Sequence, residues 1–169
     1  MAPGLATAQR LVTAPPWVLT LAILGLNLLG RPVGLIEGLE PLSEALNWIV
    51  VALDLGWIWS VYTVSTASLP ERPRAGWIPY VFAAPPIIDA VAIIFGLSMD
   101  NSPAAFLFFA AFLFCIGQTA TALEEAGRGG APGPLGKTLG TALLLFFSIV
   151  GLWWLRQRLL LVAARTPRT

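Results

Sequence analysis

Apolar residues gather into five long runs along this chain, separated by short segments rich in Gly, Pro and charge. A helix needs about 20 mostly apolar residues to cross the roughly 30 Å hydrocarbon core of a bilayer. The pattern predicts helices over 11–29, 45–68, 77–98, 103–123 and 138–162, with almost no strand. In lipid, every backbone N–H and C=O must be bonded within its own segment. The expected fold is therefore all-α: a polytopic integral membrane protein, a five-transmembrane-helix bundle forming one domain over 1–169, with no soluble domain.

The breaks between runs carry ordinary helix punctuation. Pro15-Pro16 opens the first run, and a proline is tolerated at a helix start because the first N–H groups have no partner there. Gly30-Arg31-Pro32 follows where a small-x-small cleavage site would stand in a signal peptide, so 11–29 reads as an uncleaved span. Segment 30–44 holds Glu37, Glu40 and Glu44, and hairpin 70–76 holds Arg72 and Arg74. Segment 124–137, EEAGRGGAPGPLGK, is too rich in Gly and Pro for a regular element. In the last run Trp153-Trp154 is followed by Arg156-Gln157-Arg158, so the span either stops at Leu155 or continues to Ala164.

Against this apolar background a few polar positions stand out. Asp54 and Asp89 each lie near the middle of a run, where an acid costs about 2.5–3.5 kcal/mol on insertion scales and calls for a partner, a proton or a wet cavity. Asn47, Asp54 and Ser65 share a narrow arc at 3.6 residues per turn. Pro85-Pro86 deprives the carbonyls of Val81 and Phe82 of their helical donors, a break that survives in lipid only where protein buries it or it lines a cavity. Asp89 follows one turn later. At 1.5 Å per residue both acids sit roughly 18–21 Å from the 70–76 hairpin, so a shared site on neighbouring helices is expected. Gln118 and Thr119, on a polar stripe of the fourth run, either donate to that site or act as interhelical glue. The candidate substrate- or ion-binding residues are Asp54, Asp89, Asn47, Gln118 and Thr119. Trp57, Trp59, Tyr62, Pro85 and Pro86 are expected to line or pack around the site. A purely structural acid pair stands as the alternative.

Composition narrows the function. Apolar residues make up 57% of the 169-residue chain and charged residues 11%. A soluble domain averages about 25% charged residues, so lipid, not water, is the expected solvent of this surface. A net charge of +1 without a basic run excludes a nucleic-acid partner. With no His and only Cys115, His-ligated metals, Cys clusters and intrachain disulfides are excluded. No cofactor or metal is expected. The absence of a nucleophile–base pair or phosphate loop argues against an enzyme. Three classes remain. The first is a transporter or channel for an ion or small solute using the mid-membrane acids. The others are a Trp-rich ligand-binding or sensory membrane protein, and an accessory subunit of a larger complex. The expected setting is the lipid bilayer of a cell (inner) membrane, as a homo-oligomer or within a larger membrane complex. With five spans the basic residues divide about evenly: Arg10, Arg72, Arg74, Arg128 and Lys137 on one side, Arg31, Arg156, Arg158, Arg165 and Arg168 on the other. The positive-inside rule then barely decides the orientation, and the acidic 30–44 segment favours a cytoplasmic N-terminus.

Overall fold

The computed structural model describes residues 4–69, 74–95 and 102–166. Among them all regular structure is helical. In chain order it comprises α1 (Gly4–Thr13), α2 (Pro16–Val33), α3 (Glu40–Ala67), α4 (Ile78–Val81), α5 (Ala84–Ile94), α6 (Pro103–Gly127), α7 (Leu135–Phe146), α8 (Ser148–Trp154) and α9 (Arg156–Arg165). By length and composition α2, α3 and α6 can each cross a membrane, and the bent pair α7–α8 makes a fourth if it counts as one span.

Local chemistry explains the boundaries. Pro15 is extended (φ −57°, ψ 131°), so the expected helix over 11–29 is interrupted there, and Pro16 opens α2 in its first turn. Ser102 caps α6, its hydroxyl accepting from the Ala105 N–H at 3.3 Å, and Pro103 fills the first helical position. The expected helix over 77–98 is two helices broken at Phe82 and Ala83, with 96–98 outside the described residues. Pro85 and Pro86 fall in the first turn of α5, where their missing N–H groups cost nothing.

The largest departure is at the C-terminal end. The expected helix over 138–162 is three helices, and α7 and α8 meet at 119°. The bend is made at Phe147, whose dihedrals (φ −91°, ψ 64°) approach an inverse γ-turn. Its N–H still donates to the Leu143 carbonyl at 2.9 Å, and its own carbonyl still accepts from Gly151 at 3.0 Å. The hairpin is tight: a side-chain carbon on Gly151 would overlap the carbonyl oxygen of Leu144. A second break at Leu155 ends α8 just before Arg156.

Contacts between helices fix relative depth. α2 and α3 are antiparallel, with Ser43 of α3 donating to the Gly30 carbonyl of α2 at 3.0 Å. α8 then runs back along α2 and α3. Ser148 faces Asp54, Gly151 lies beside Trp57, the Trp153 indole N–H donates to Thr20 Oγ1 at 3.2 Å, and the Arg156 guanidinium donates to the Ala14 carbonyl at 2.6 Å. α9 continues to the ends of α3 and α6. Thr166 donates to the Val64 carbonyl at 3.4 Å, and Arg165 to the Ala126 carbonyl at 3.4 Å. The chain thus enters the bundle with α7, turns at Phe147 and leaves with α8 at the end where it came in. The bundle's α1/α9 end gathers the starts of α2 and α7 and the C-termini of α3 and α6. Its opposite end holds the α2–α3 turn.

Many large apolar side chains face outward while several polar ones are buried, a distribution that fits a membrane helical bundle. Leu21, Leu28, Ile94, Phe106, Leu139 and Trp154 are exposed, whereas Ser60, Ser65, Thr119, Glu124 and Thr141 are buried. Apolar exposure of this extent marks a surface made for another apolar phase.

Candidate functional site

α3 is 28 residues long, about 42 Å at 1.5 Å per residue, and Asp54 stands at its middle. Asp54 Oδ1 is buried and has no hydrogen-bond partner. The group facing the carboxylate is the side chain of Ser148, the first residue after the Phe147 bend. The apex of the α7–α8 hairpin therefore reaches the depth of the acid. A second contact fixes that depth independently: Phe146 packs on Phe112, near the middle of α6, with ring centroids 6.3 Å apart. One turn beyond Asp54, Trp57 is 2% exposed and lies against Gly151. Further along α3, the Ser65 hydroxyl is the other buried side-chain oxygen without a partner among the described residues.

Asp89 is half-buried on α5, one turn from Pro85 and three residues from Ala92, both buried. α5 packs mainly on α6 and meets α3 at only a few positions. α6, not α3, is thus the principal neighbour of the helix that carries Asp89.

The remaining candidates separate by what they touch. Thr119 is fully buried, but its hydroxyl donates to the Cys115 carbonyl of its own helix at 2.8 Å, which uses the proton expected for an acid. Gln118 beside it is half-buried. Asn47 is exposed and lines a groove of about 390 Å³ between α2 and α3, together with Asn27, Arg31 and Ser43. Tyr62 is buried with its ring centroid 5.2 Å from that of Phe82, so it closes the α4–α5 break from the α3 side. Trp59, Pro79, Phe82 and Pro86 line a mostly apolar groove of about 330 Å³ between α3 and the broken pair. Pro85 faces inward and is buried.

The best-built polar cluster centres on Glu124, a residue that the sequence pattern assigns to the 124–137 linker. Glu124, in the last turn of α6, is 1% exposed and accepts two parallel bonds from Arg158 of α9, Nη1 to Oε1 and Nη2 to Oε2, both 2.7 Å. Thr141 of α7 donates to Oε1 at 2.5 Å. Bidentate pairing of this kind is the strong form of a charge-assisted bond. Next to it, Arg74 bonds Glu125 at 2.5 Å. Gly133 lies so close to the Glu124 side chain that a Cβ there would sit 2.7 Å from Glu124 Cβ. The one available signal was opposite charge: an acid ending the fourth apolar run and an Arg interrupting the fifth.

No family model matches the chain, and no curated protein or solved structure is found to match it.

Proposed function

We propose that the protein is a small integral membrane transporter or channel that passes a proton or a small monovalent cation, with Asp54 as the mid-membrane binding carboxylate. In this reading α2, α3, the α4–α5 pair and α6 cross the bilayer, and α7–α8 is a re-entrant hairpin. The carrying observation is the buried Asp54 Oδ1 without a partner, facing Ser148 at the hairpin apex. A carboxylate in that position is costly and is the kind of group that binds a passing cation or proton. Broken backbone at mid-depth is the other half of such sites. It frees carbonyl groups that coordinate an ion, and it is tolerated only where protein buries it or it lines a cavity. Asp54 supplies the charge, Ser148 a neutral oxygen, and Trp57 with Gly151 the tight packing that holds the hairpin against α3.

The test is flux in liposomes containing the purified chain. Asp54→Asn keeps the shape and removes the charge, so proton or cation flux is expected to fall at least about tenfold. Unchanged flux in a folded Asp54→Asn protein overturns the proposal. The groove lined by Trp59, Pro79 and Pro86 favours a second reading, in which a small apolar molecule seats between α3 and α5. Quenching of tryptophan emission by such molecules, abolished in Trp59→Phe, supports that reading; quenching that persists in Trp59→Phe refutes it.

A further inference from the structure

We infer that the α1–α9 face is a docking surface for an anionic phospholipid headgroup, held by Arg10. The inference rests on the membrane reading and on the re-entrant course of α7–α8, and not on the cation path. With α8 returning to its side of origin, the described basic residues no longer divide evenly. Arg10, Arg74, Arg128, Lys137, Arg156, Arg158 and Arg165 belong to the α1/α9 end, and Arg31 alone to the opposite end. By the positive-inside rule the α1/α9 end faces the cytoplasm, the leaflet surface where anionic lipids attract basic segments.

Among the described residues, the acids at this end are already paired. Glu124 is paired with Arg158 and Glu125 with Arg74. α1 and α9 contain no Asp or Glu. Arg10 is exposed, and neither its own helix nor α9 across the groove carries an acid; α1 packs also on α3, whose acids are Glu40 and Glu44 at the far end of that helix and Asp54 at its middle. Arg10 stands on the rim of a groove of about 460 Å³ between α1 and α9, beside Gln9. The floor of that groove is small and apolar, from Ala6, Ala163 and Ala164, with Leu160 along it. A cationic fork and an amide over an apolar floor match a phosphodiester joined to a glycerol and its acyl chains. The depth agrees as well, since α2 begins near the level of Trp57, where Trp153 reaches Thr20, and α3 continues past it to Ala67. The α1–α9 groove flanks that protruding part, at the height of headgroups.

The experiment is native mass spectrometry of the full chain in detergent, titrated with phosphatidylglycerol or with phosphatidylcholine of the same acyl chains. Phosphatidylglycerol is expected to bind at least about fivefold more tightly, the preference of roughly one cation at an anionic surface. Arg10→Gln is expected to remove that preference, Arg10→Lys to keep part of it, and Arg31→Gln at the opposite end to leave it intact. Failure of a maleimide to label buried Cys115 certifies that each variant is folded. Equal binding of the two lipids overturns the inference and leaves the membrane reading standing, as does an equal loss in Arg10→Gln and Arg31→Gln. Retention of neither lipid overturns both.

Discussion

Removing one partner from the Glu124–Arg158 pair should give unequal penalties, because the two side chains differ in access to water. Glu124 is 1% exposed and Arg158 33%. In Arg158→Leu the carboxylate stays buried with only the Thr141 hydroxyl, having lost two bonds of 2.7 Å. Stranding a buried charge in this way costs about 3–5 kcal/mol. In Glu124→Leu the guanidinium that remains already has a third of its surface open and can swing to water or headgroups on its flexible stem. Its cost should be nearer that of a lost, partly compensated bond, about 1–3 kcal/mol. For a chain of this length 1 kcal/mol moves the melting temperature by roughly 2–4 °C. Arg158→Leu should therefore lower it by about 6–20 °C and Glu124→Leu by clearly less. The double variant should melt above Arg158→Leu alone, because no charge is left stranded. The chain carries its own reporter: Cys115 is its one cysteine and is fully buried, so a fluorogenic maleimide reacts as the bundle opens. Equal destabilisation by the two single variants, or a double variant less stable than both, would refute this account of the cluster.

Two further outcomes follow from local geometry. Gly151→Ala should destabilise the α7–α8 hairpin by about 1–3 kcal/mol and depress flux along with Asp54→Asn, because even one added carbon overlaps the Leu144 carbonyl and must push Ser148 away from Asp54; wild-type melting and wild-type flux in this variant would disprove the tight-turn geometry. Ser102→Ala should cost about 0.5–2 kcal/mol through loss of the Ala105 cap, with flux unchanged, and a Ser102→Thr variant should recover most of it in the same maleimide melt.

Where helix boundaries depend on adjacent residues, the chain declares them. α3 and α6 lie within a few residues of the expected 45–68 and 103–123, because Pro103 and Ser102 act at the boundary itself. The course of the last run was hidden for a physical reason. A bend of 119° usually announces itself by Gly or Pro, but Phe147 achieves it with a negative φ and a changed ψ, which any L-residue adopts. What holds the bend is Gly151 against Leu144 and Phe146 against Phe112, contacts that periodicity along one helix cannot display. The depth of Asp54 was legible from its place in the apolar run, yet its neighbour Ser148 lies 94 residues away and became its neighbour only through the bend. The expectation that Asp89 faces it rested on a short hairpin, whereas α5 leans on α6 after the break at Phe82–Ala83. Glu124 was lost for the opposite reason: the Gly- and Pro-rich stretch after it masked the fact that α6 runs on to Gly127.

The two acids that matter most differ in how they are satisfied, and the difference separates stability from function. Glu124 has Arg158 and Thr141 filling its lone pairs, so any mobile ion would have to displace three bonds to reach it. That is the signature of a group whose work is to hold α6, α7 and α9 together. Asp54 has a buried oxygen left over, in a helix otherwise free to be wholly apolar at that depth. A leucine there would stabilise the bundle, since it removes a desolvation cost and restores packing against the hairpin apex. On the proposed reading, the stability that the buried acid costs is offset by the ion-binding role assigned to it. The sharpest form of that statement is a divergence. Asp54→Leu should raise the melting temperature while flux falls to background, and Glu124→Leu should lower the melting temperature while flux through the remaining folded protein persists. An Asp54→Leu protein that melts below wild type would mean that the carboxylate holds the fold, and the assignment of the transport site to Asp54 would be withdrawn.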